Sequence, residues 1–234
     1  MKQIRIAALG DSLTKGVILN EENRYSVLKQ NFIGIISNKL DLCIRNYAKF
    51  GCTIGFGHNV IERHHDDISN SDVTFLEFGG NDCDFDWKTI ADNPESEHSP
   101  KTILDSFKEQ FLMLIEKVRA LGSKPVILSL PPIHSEAYFS FISRFMDDCQ
   151  KFNVLKWLGG DIGIITRWHE TYNQMLFEIS RLTKTHIIDI TTPFENYEGG
   201  LEALLCSDGI HPNALGHELI ASSIADSDYM RCQY

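Results

Sequence analysis

Four short stretches of this sequence carry the residue types that acyl transfer requires. They contain Ser12, Gly51, Asn81 and the segment Asp208-Gly209-Ile210-His211. Acyl transfer needs a nucleophile, a base that removes its proton, a group that orients the base, and donors that stabilise the oxyanion. Serine, histidine, aspartate and amide groups can fill these roles, so the four stretches together hold a complete set.

The individual roles follow from the chemistry of each side chain. Ser12 is the candidate nucleophile, and it needs an adjacent base because a serine hydroxyl reacts poorly at neutral pH. His211 can be that base, since an imidazole accepts a proton near neutral pH. Asp208, three residues earlier in a glycine-containing turn, can bind one ring nitrogen and leave the other facing Ser12. The predicted oxyanion donors are the backbone N–H groups of Ser12 and Gly51 and the side-chain amide of Asn81.

Strands that alternate with helices must position these groups. Apolar runs predict five strands, at about residues 3–9, 41–47, 72–78, 125–130 and 186–190. Helical spacing of apolar residues predicts helices at about residues 24–39, 59–68, 101–121, 161–182 and 213–225. This alternation predicts parallel strands joined by right-handed crossovers, an α/β fold with three αβα layers. The candidate groups leave the carboxyl edge of that sheet, where open α/β sheets bind ligands, so we expect them to converge.

The tetrapeptide Gly10-Asp11-Ser12-Leu13 resembles the signature of the GDSL family, the SGNH hydrolases. Four blocks in that family supply serine, glycine, asparagine and histidine, and this sequence matches them in the same order with Ser12, Gly51, Asn81 and His211. The resemblance implies a flavodoxin-like, five-stranded parallel sheet of order 2-1-3-4-5. It also implies esterase or lipase chemistry, and it supports Ser12, His211 and Asp208 as the catalytic residues together with the three oxyanion donors.

Together these features predict a serine esterase or acylhydrolase that cleaves a small or medium acyl ester through an acyl-serine intermediate, without a cofactor. A carbohydrate O-acetyl ester and a lysophospholipid both remain open as substrates, as do thioesterase and transacylase chemistry. The alternative is a non-catalytic carbohydrate- or lipid-binding module on the same fold, because a fold does not fix a function. A nucleotide-binding protein is disfavoured because neither GxGxxG nor GxxxxGK[ST] follows the first strand.

The whole chain, residues 1–234, is predicted to form one domain with a substrate-pocket insertion at about 131–160. The insertion is rich in aromatic residues and follows the carboxyl end of the fourth predicted strand. It forms either plain core or a wall over the site, and its position favours the wall. In that case Trp157, with Phe139 or Phe145, lines the acyl- or sugar-binding side.

Two other patterns are weaker candidates for chemistry. Asp82, Asp84 and Asp86 alternate as in a calcium loop, but Trp87 stands where glycine is required, so no metal site is predicted. His169 is the alternative base, although the sequence places no orienting acid beside it.

Composition limits the partners. The net charge of −10 argues against a nucleic acid, because no basic field would attract it. The sequence has no long uncharged apolar run of the kind that crosses a membrane. No signal peptide is visible, so the expected location is cytoplasmic. The expected partner is a small-molecule ester, and the oligomeric state is left open.

Overall fold

A computed structural model describes residues 3–232 and has a five-stranded parallel sheet at its centre. The strands of this described range are β1 (Arg5–Gly10), β2 (Val17–Leu19), β3 (Tyr25–Val27), β4 (Cys43–Asn46), β5 (Val73–Glu77), β6 (Lys124–Leu128) and β7 (His186–Ile188). The central sheet has the order β4-β1-β5-β6-β7, and all its neighbouring pairs are parallel. Numbered among themselves, these five strands have the predicted order 2-1-3-4-5, so the predicted sheet is confirmed.

Helices cover both faces of the sheet. Within residues 3–232 they are α1 (Ser12–Lys15), α2 (Phe32–Lys39), α3 (Ile54–Arg63), α4 (His65–Ser69), α5 (Trp87–Asp92), α6 (Leu104–Ala120), α7 (Ser135–Ile142), α8 (Asp148–Trp157), α9 (Ile164–Thr183), α10 (Thr191–Glu195), α11 (Ala214–Asp226) and α12 (Asp228–Arg231). A turn of 3-10 helix, Leu201–Ala203, precedes the loop that leads to α11.

Two apolar layers hold the sheet between the helices. Side chains alternate along β1 because successive residues of a strand point to opposite faces. Ile6 and Ala8 pack with α2 and α11 on one face, whereas Ala7 and Leu9 pack with α3, α6 and α9 on the other. The predicted three-layer αβα sandwich is therefore confirmed.

The helix predicted at 24–39 begins later than expected. It starts at Phe32, where the side chain of Asn31 accepts the N–H of Gly34 at 3.1 Å and caps α2. Residues Tyr25–Val27 form β3 instead, which pairs antiparallel with β2 in a hairpin. The prediction is wrong there because the apolar spacing of such a short run does not separate a strand from the first turn of a helix.

The segments 83–100 and 131–160 are partly helical. They contain α5, α7 and α8, which bury a second apolar cluster beside the main core, with Trp87, Tyr138 and Val154 among its members. Because α5 packs against α8, the two segments stabilise each other.

Within residues 3–232, none of the helices combines the length and the apolar content that a bilayer-spanning helix needs. The one-domain prediction for residues 1–234 includes residues 1, 2, 233 and 234, which lie outside the described range. The division into domains stays a prediction.

Candidate active site

Ser12, His211 and Asp208 form one continuous chain of hydrogen bonds. The hydroxyl of Ser12 lies 2.9 Å from Nε2 of His211. Nδ1 of the same ring lies 2.7 Å from Oδ2 of Asp208. Although 199 residues separate Ser12 from His211, the end of β1 and the loop before α11 meet at the carboxyl edge of the sheet. The structure thus brings together the residues that the sequence nominates as nucleophile, base and orienting acid.

Asp208 fixes the state of the His211 ring. It is fully buried, and its Oδ1 accepts the N–H groups of Ile210 at 3.2 Å and His211 at 3.1 Å. Burial alone would raise the pKa of Asp208, but the hydrogen bonds and charge of His211 outweigh it and hold that pKa below its ordinary value. An ionised carboxylate can only accept, so Nδ1 of His211 donates and Nε2 is left to accept from Ser12.

Gly209 shapes the turn between the acid and the base. Its φ of +73° lies in the left-handed region that favours glycine. A Cβ at this position would lie 2.6 Å from the backbone oxygen of His134. The carbonyl of Gly209 accepts the N–H of His134 at 2.8 Å, which docks the turn onto the start of α7.

Ser12 is the first residue of α1 and follows β1 after a single capping residue, Asp11. Side-chain acceptors occupy the next two backbone donors of that turn. The carboxyl group of Asp11 accepts the N–H of Leu13 at 2.9 Å, and Oε2 of Glu77 accepts the N–H of Thr14 at 3.3 Å. The N–H of Ser12 has no acceptor within residues 3–232, so it is free to bind a substrate oxygen.

Gly51 and Asn81 line the same cavity as Ser12. The N–H of Gly51 has no acceptor in the described part of the chain, and its backbone has a φ of +71°. Nδ2 of Asn81 donates one hydrogen bond to Oδ2 of Asp11 at 2.8 Å. Because a carboxylate only accepts, this contact turns the NH2 group of Asn81 toward Asp11 and leaves its second N–H unpaired. The structure therefore brings the Gly51 N–H and the Asn81 amide, both predicted as donors, to the cavity that holds Ser12.

Asp11 and Glu77 form a buried pair of carboxyl groups beside the turn that carries Ser12. They are 3% and 1% exposed and are hydrogen-bonded to each other. Burial, together with the neighbouring charge of Asp11, raises the pKa of Glu77 well above its ordinary value. Two carboxylates in such contact do not both ionise, so Glu77 keeps a proton and Asp11 is the anion that holds Asn81. Sequence analysis missed Glu77, whose only signal was an acidic residue at the end of an apolar strand.

Asp82 joins the loop that carries Gly51 to the loop that carries Asn81. Its carboxylate accepts the N–H of Ile54 at 3.0 Å and 3.2 Å from its two oxygens. Ile54 begins α3 three residues after Gly51, whereas Asp82 directly follows Asn81. Burial raises the pKa of Asp82 to about 6. The contact keeps the Gly51 segment beside the Asn81 loop.

The site opens into a cavity of about 290 Å³. Tyr25, Phe50 and Phe141 form its aromatic wall near His211. The ring of Phe50 stacks on the His211 imidazole with 6.0 Å between centroids, and Tyr25 meets the same imidazole edge-on at 5.2 Å. Sequence analysis missed all three residues. Phe50 had one positional signal, its place beside Gly51, whereas Tyr25 reaches the site through the unpredicted hairpin.

The structure does not bring the predicted aromatic lining residues to the cavity. Trp157 packs against Phe85 with 5.0 Å between ring centroids. Phe139 belongs to the same apolar cluster, and Phe145 is 88% exposed. The helices of this segment pack on α5, so their aromatic residues fill that cluster, and the predicted lining by Trp157, Phe139 and Phe145 is corrected.

Asp84, one of the alternating aspartates, is held by three protein donors. It accepts the Tyr138 hydroxyl at 2.7 Å and the Trp87 ring N–H at 2.8 Å, and it pairs with the Lys101 ammonium at 2.8 Å. Its polar contacts are therefore structural. Within residues 3–232, no three His, Cys, Asp or Glu side chains cluster in a way that could hold a metal ion.

His169 lines the cavity but forms no hydrogen bond with Ser12. Burial lowers the pKa of His169 to about 4, and no carboxylate binds its ring within the described residues. A catalytic base must accept a proton near neutral pH and needs an orienting partner. His169 lacks both features, whereas His211 is bound to Asp208.

The sequence model of the GDSL-like Lipase/Acylhydrolase family matches residues 8–219 of this chain. YpmR of Bacillus subtilis is 23% identical over 234 residues, which cover 95% of this chain and 80% of YpmR.

Two solved structures are similar to this fold. A member of the lipolytic protein G-D-S-L family from Veillonella parvula has a TM-score of 0.64 and 17% identity, with 97% of this chain and 98% of that chain covered. Axe2, an acetylxylan esterase from Geobacillus stearothermophilus, has a TM-score of 0.61 and 17% identity, with 95% and 92% covered. At this level of identity the two structures show a shared fold.

Proposed function

The chain belongs to the GDSL-like lipase/acylhydrolase family and is a carboxylic ester hydrolase, and on that premise we propose that it works as a serine esterase. In this proposal Ser12 is the nucleophile, His211 is the base, and Asp208 orients the base. The observation that carries it is the hydrogen-bond chain from the Ser12 hydroxyl through both nitrogens of His211 to Asp208, at 2.9 Å and 2.7 Å.

The proposed reaction has two halves. Oγ of Ser12 attacks the ester carbonyl while Nε2 of His211 takes the hydroxyl proton. The tetrahedral intermediate then collapses, the bond to the alcohol oxygen breaks, and His211 gives its proton to the leaving alcohol. A water molecule attacks the acyl-serine in the second half, again with His211 as the base, and releases the acid and free Ser12. Asp208 stays ionised throughout and stabilises the imidazolium.

The proposed oxyanion donors are the backbone N–H groups of Ser12 and Gly51 and the side-chain amide of Asn81. Two observations support them: all three residues line the cavity, and none of these N–H groups has another acceptor within residues 3–232. The Asn81 amide is already held by Asp11 at 2.8 Å. Donors fixed in advance stabilise developing charge without reorganisation during the reaction.

We propose a small acyl ester, such as the O-acetyl ester of a carbohydrate, as the substrate. The cavity volume of about 290 Å³ lies just below the range of about 300–1,000 Å³ for ligand pockets. Such a volume favours acetyl over long acyl groups. Axe2 is named as an acetylxylan esterase, which provides a precedent for acetyl esters on this fold.

A cytoplasmic location is kept as a prediction. Fractionation of cells that produce the full-length protein would test it. We expect the protein in the soluble intracellular fraction, and its recovery in the membrane or the medium would contradict the prediction.

Hydrolysis of a series of 4-nitrophenyl esters, from acetate to decanoate, tests the proposed activity. We expect the highest kcat/KM on the shortest esters, and we expect Ser12→Ala to lower kcat by about 10⁴-fold or more. Ser223→Ala is the matched control, because the Ser223 hydroxyl binds the backbone oxygen of Leu219 at 2.8 Å on α11, away from the cavity. Turnover by Ser12→Ala within tenfold of the wild type would exclude Ser12 as the nucleophile.

A further inference from the structure

His169 is a buried polar side chain that faces the cavity without a protein partner. It lies on the inward face of α9, is 5% exposed, and lines the same cavity as Ser12. Within residues 3–232 neither ring nitrogen forms a hydrogen bond, and neither is among the fully enclosed unpaired atoms, so both keep some surface open to the cavity. A neutral imidazole has one N–H donor and one nitrogen acceptor, so both are available to a group that occupies the cavity.

Three neighbouring polar side chains on the inward part of α9 have protein partners. Trp168 donates its ring N–H to the backbone oxygen of Cys83 at 2.9 Å. The Tyr172 hydroxyl donates to the backbone of Thr102 at 2.5 Å. Oδ1 of Asn173 accepts the Leu130 N–H at 2.9 Å, and Nδ2 of the same amide donates to the Thr191 hydroxyl at 2.9 Å. His169 differs from these neighbours because its imidazole forms no hydrogen bond with the protein within residues 3–232. A ligand in the cavity could supply the partner.

The surroundings favour an uncharged ligand group. Burial lowers the pKa of His169 to about 4, so the ring is neutral at physiological pH. Lys101, which also lines the cavity, is paired with Asp84 at 2.8 Å. Asp11 and His211 have their own protein partners. A charged ligand group would therefore meet no unpaired opposite charge, whereas a hydroxyl could donate to and accept from the imidazole of His169.

Apolar side chains form a large part of the remaining wall. Leu130, Ile133 and Ile165 contribute apolar surface to the cavity. A hydroxyl placed against such a surface loses its bonds to water without compensation. A polar group that stands beside apolar side chains discriminates between substrates that do and do not carry the matching hydroxyl.

We propose that His169 is a specificity-determining residue whose imidazole binds an uncharged hydroxyl group of the ester substrate. This inference rests on the proposed esterase function and deepens it, since it predicts a hydroxylated substrate. The hydroxyl can belong to the alcohol part, as in a polyol or sugar ester, or to the acyl part, as in a hydroxy acid ester. Both sources present the same chemistry to the ring.

Two pairs of esters with the same carbon skeleton test the proposal. Propyl acetate and glycerol 1-acetate differ only in hydroxyls on the alcohol part, and methyl butyrate and methyl 3-hydroxybutyrate differ only on the acyl part. Acid release by the wild type, His169→Leu and His169→Asn is measured in a pH-stat. Leucine and asparagine have the same number of side-chain heavy atoms and branch at the same atom, but only asparagine can form hydrogen bonds.

We expect the wild type to favour the hydroxylated member of one pair by about tenfold in kcat/KM, the effect of one hydrogen bond between neutral groups. His169→Leu should abolish this preference, mainly through KM. His169→Asn should keep part of the preference. The pair that shows the effect identifies which part of the substrate the subsite binds.

Two results would overturn the proposal. One is a wild type without preference in either pair, and the other is a preference that persists in His169→Leu. An imidazole that only fills space in the cavity wall predicts the second result. If His169→Leu fails to fold, His169→Asn decides: a preference that is reduced through KM supports the proposal, and a preference that is unchanged or reduced only through kcat overturns it. Failure of the esterase function looks different, because the wild type and Ser12→Ala would then cleave the unsubstituted esters equally slowly.

Discussion

Asp11 and Glu77 lie hydrogen-bonded to each other beside the turn that carries Ser12, and burial raises the pKa of both carboxyl groups, that of Glu77 well above its ordinary value. Asp11 in turn accepts the amide of Asn81 at 2.8 Å. The protonation of a buried carboxyl pair is therefore linked to the orientation of a proposed oxyanion donor. We therefore expect both the stability and the activity of the protein to depend on this contact.

Replacing Glu77 by glutamine should reduce the dependence of stability on pH. Because the pKa of Glu77 is raised, the folded protein keeps a proton that the unfolded chain releases above the ordinary value of 4.5. Between that pH and the raised pKa, the folded state loses stability as the pH rises, by at most about 1.4 kcal/mol per pH unit. The variant carries a neutral amide in place of the protonated carboxyl group, so its unfolding free energy should vary less.

Urea unfolding at several pH values between about 5 and 8 checks this expectation. Glu116→Gln is the control, since the Glu116 side chain is largely exposed and pairs with Arg119 on the surface of α6. Its stability should follow the wild-type pH profile. Parallel profiles for the wild type and Glu77→Gln would show that Glu77 is not the group that holds the proton.

Replacing Asn81 by alanine should lower kcat by about 10²- to 10³-fold with little change in KM, because the lost donor acts on charge that develops in the transition state. Asn153→Ala is the matched control. The Asn153 amide donates to the backbone oxygen of Ala91 at 2.8 Å, outside the cavity, so its removal should affect stability and leave kcat unchanged. Equal kcat values for Asn81→Ala and the wild type in steady-state assays would remove Asn81 from the oxyanion site.

Much of the fold was predictable because parallel strands of this kind are short apolar runs that alternate with amphipathic helices. The sheet order came from the family resemblance. The hairpin of β2 and β3 was not predictable, since each strand has three residues and the second continues into a spacing that also fits a helix. The ring contact between Tyr25 and His211, which depends on this hairpin, was therefore not predicted either.

The residues that meet at the candidate site were nominated from the sequence because each follows a strand or lies in a turn at one edge of the sheet. The cavity wall was not predictable for a different reason. Trp157 and Phe141 occupy the same aromatic segment, yet one packs on α5 and the other faces the cavity. That choice depends on how α7 and α8 dock, which is a tertiary contact between distant segments.

Phe141 and Trp157 should therefore behave in opposite ways when replaced by alanine. Phe141 lines the cavity, with its ring 6.1 Å from that of Tyr25. Phe141→Ala should raise KM several-fold for aromatic esters because it removes apolar contact area. Trp157→Ala should lower the unfolding free energy by about 1–3 kcal/mol, less than a fully buried tryptophan would lose, and should keep KM and acyl-chain preference. A larger change of KM in Trp157→Ala than in Phe141→Ala would restore Trp157 to the substrate pocket.

Replacing Gly209 by alanine should cost both stability and activity. The left-handed backbone alone costs an alanine about 1–2 kcal/mol, and the new Cβ would also lie 2.6 Å from the His134 oxygen. The turn would have to move, and with it Asp208 and His211. Gly122→Ala is the matched control, because Gly122 has a φ of +82° but no atom within 4 Å of an added Cβ.

We expect Gly209→Ala to lose more unfolding free energy than Gly122→Ala and to lose at least about tenfold in kcat/KM per folded molecule, in line with misplacement of a catalytic group. Urea unfolding and steady-state kinetics on the same preparations measure both quantities. Normal kinetics in Gly209→Ala would mean that the turn tolerates the clash without moving His211.

The central claim is that Ser12 is a nucleophile activated by His211. The most direct test is intact-protein and peptide mass spectrometry after incubation with a 4-nitrophenyl ethylphosphonate, which transfers its phosphonyl group to an activated serine and releases nitrophenol. The account predicts one phosphonyl group per chain on Ser12, loss of esterase activity in proportion to labelling, and no adduct in Ser12→Ala or in a His211→Ala variant at the same exposure. Loss of activity with Ser12 unmodified, or the same labelling in Ser12→Ala, would contradict it.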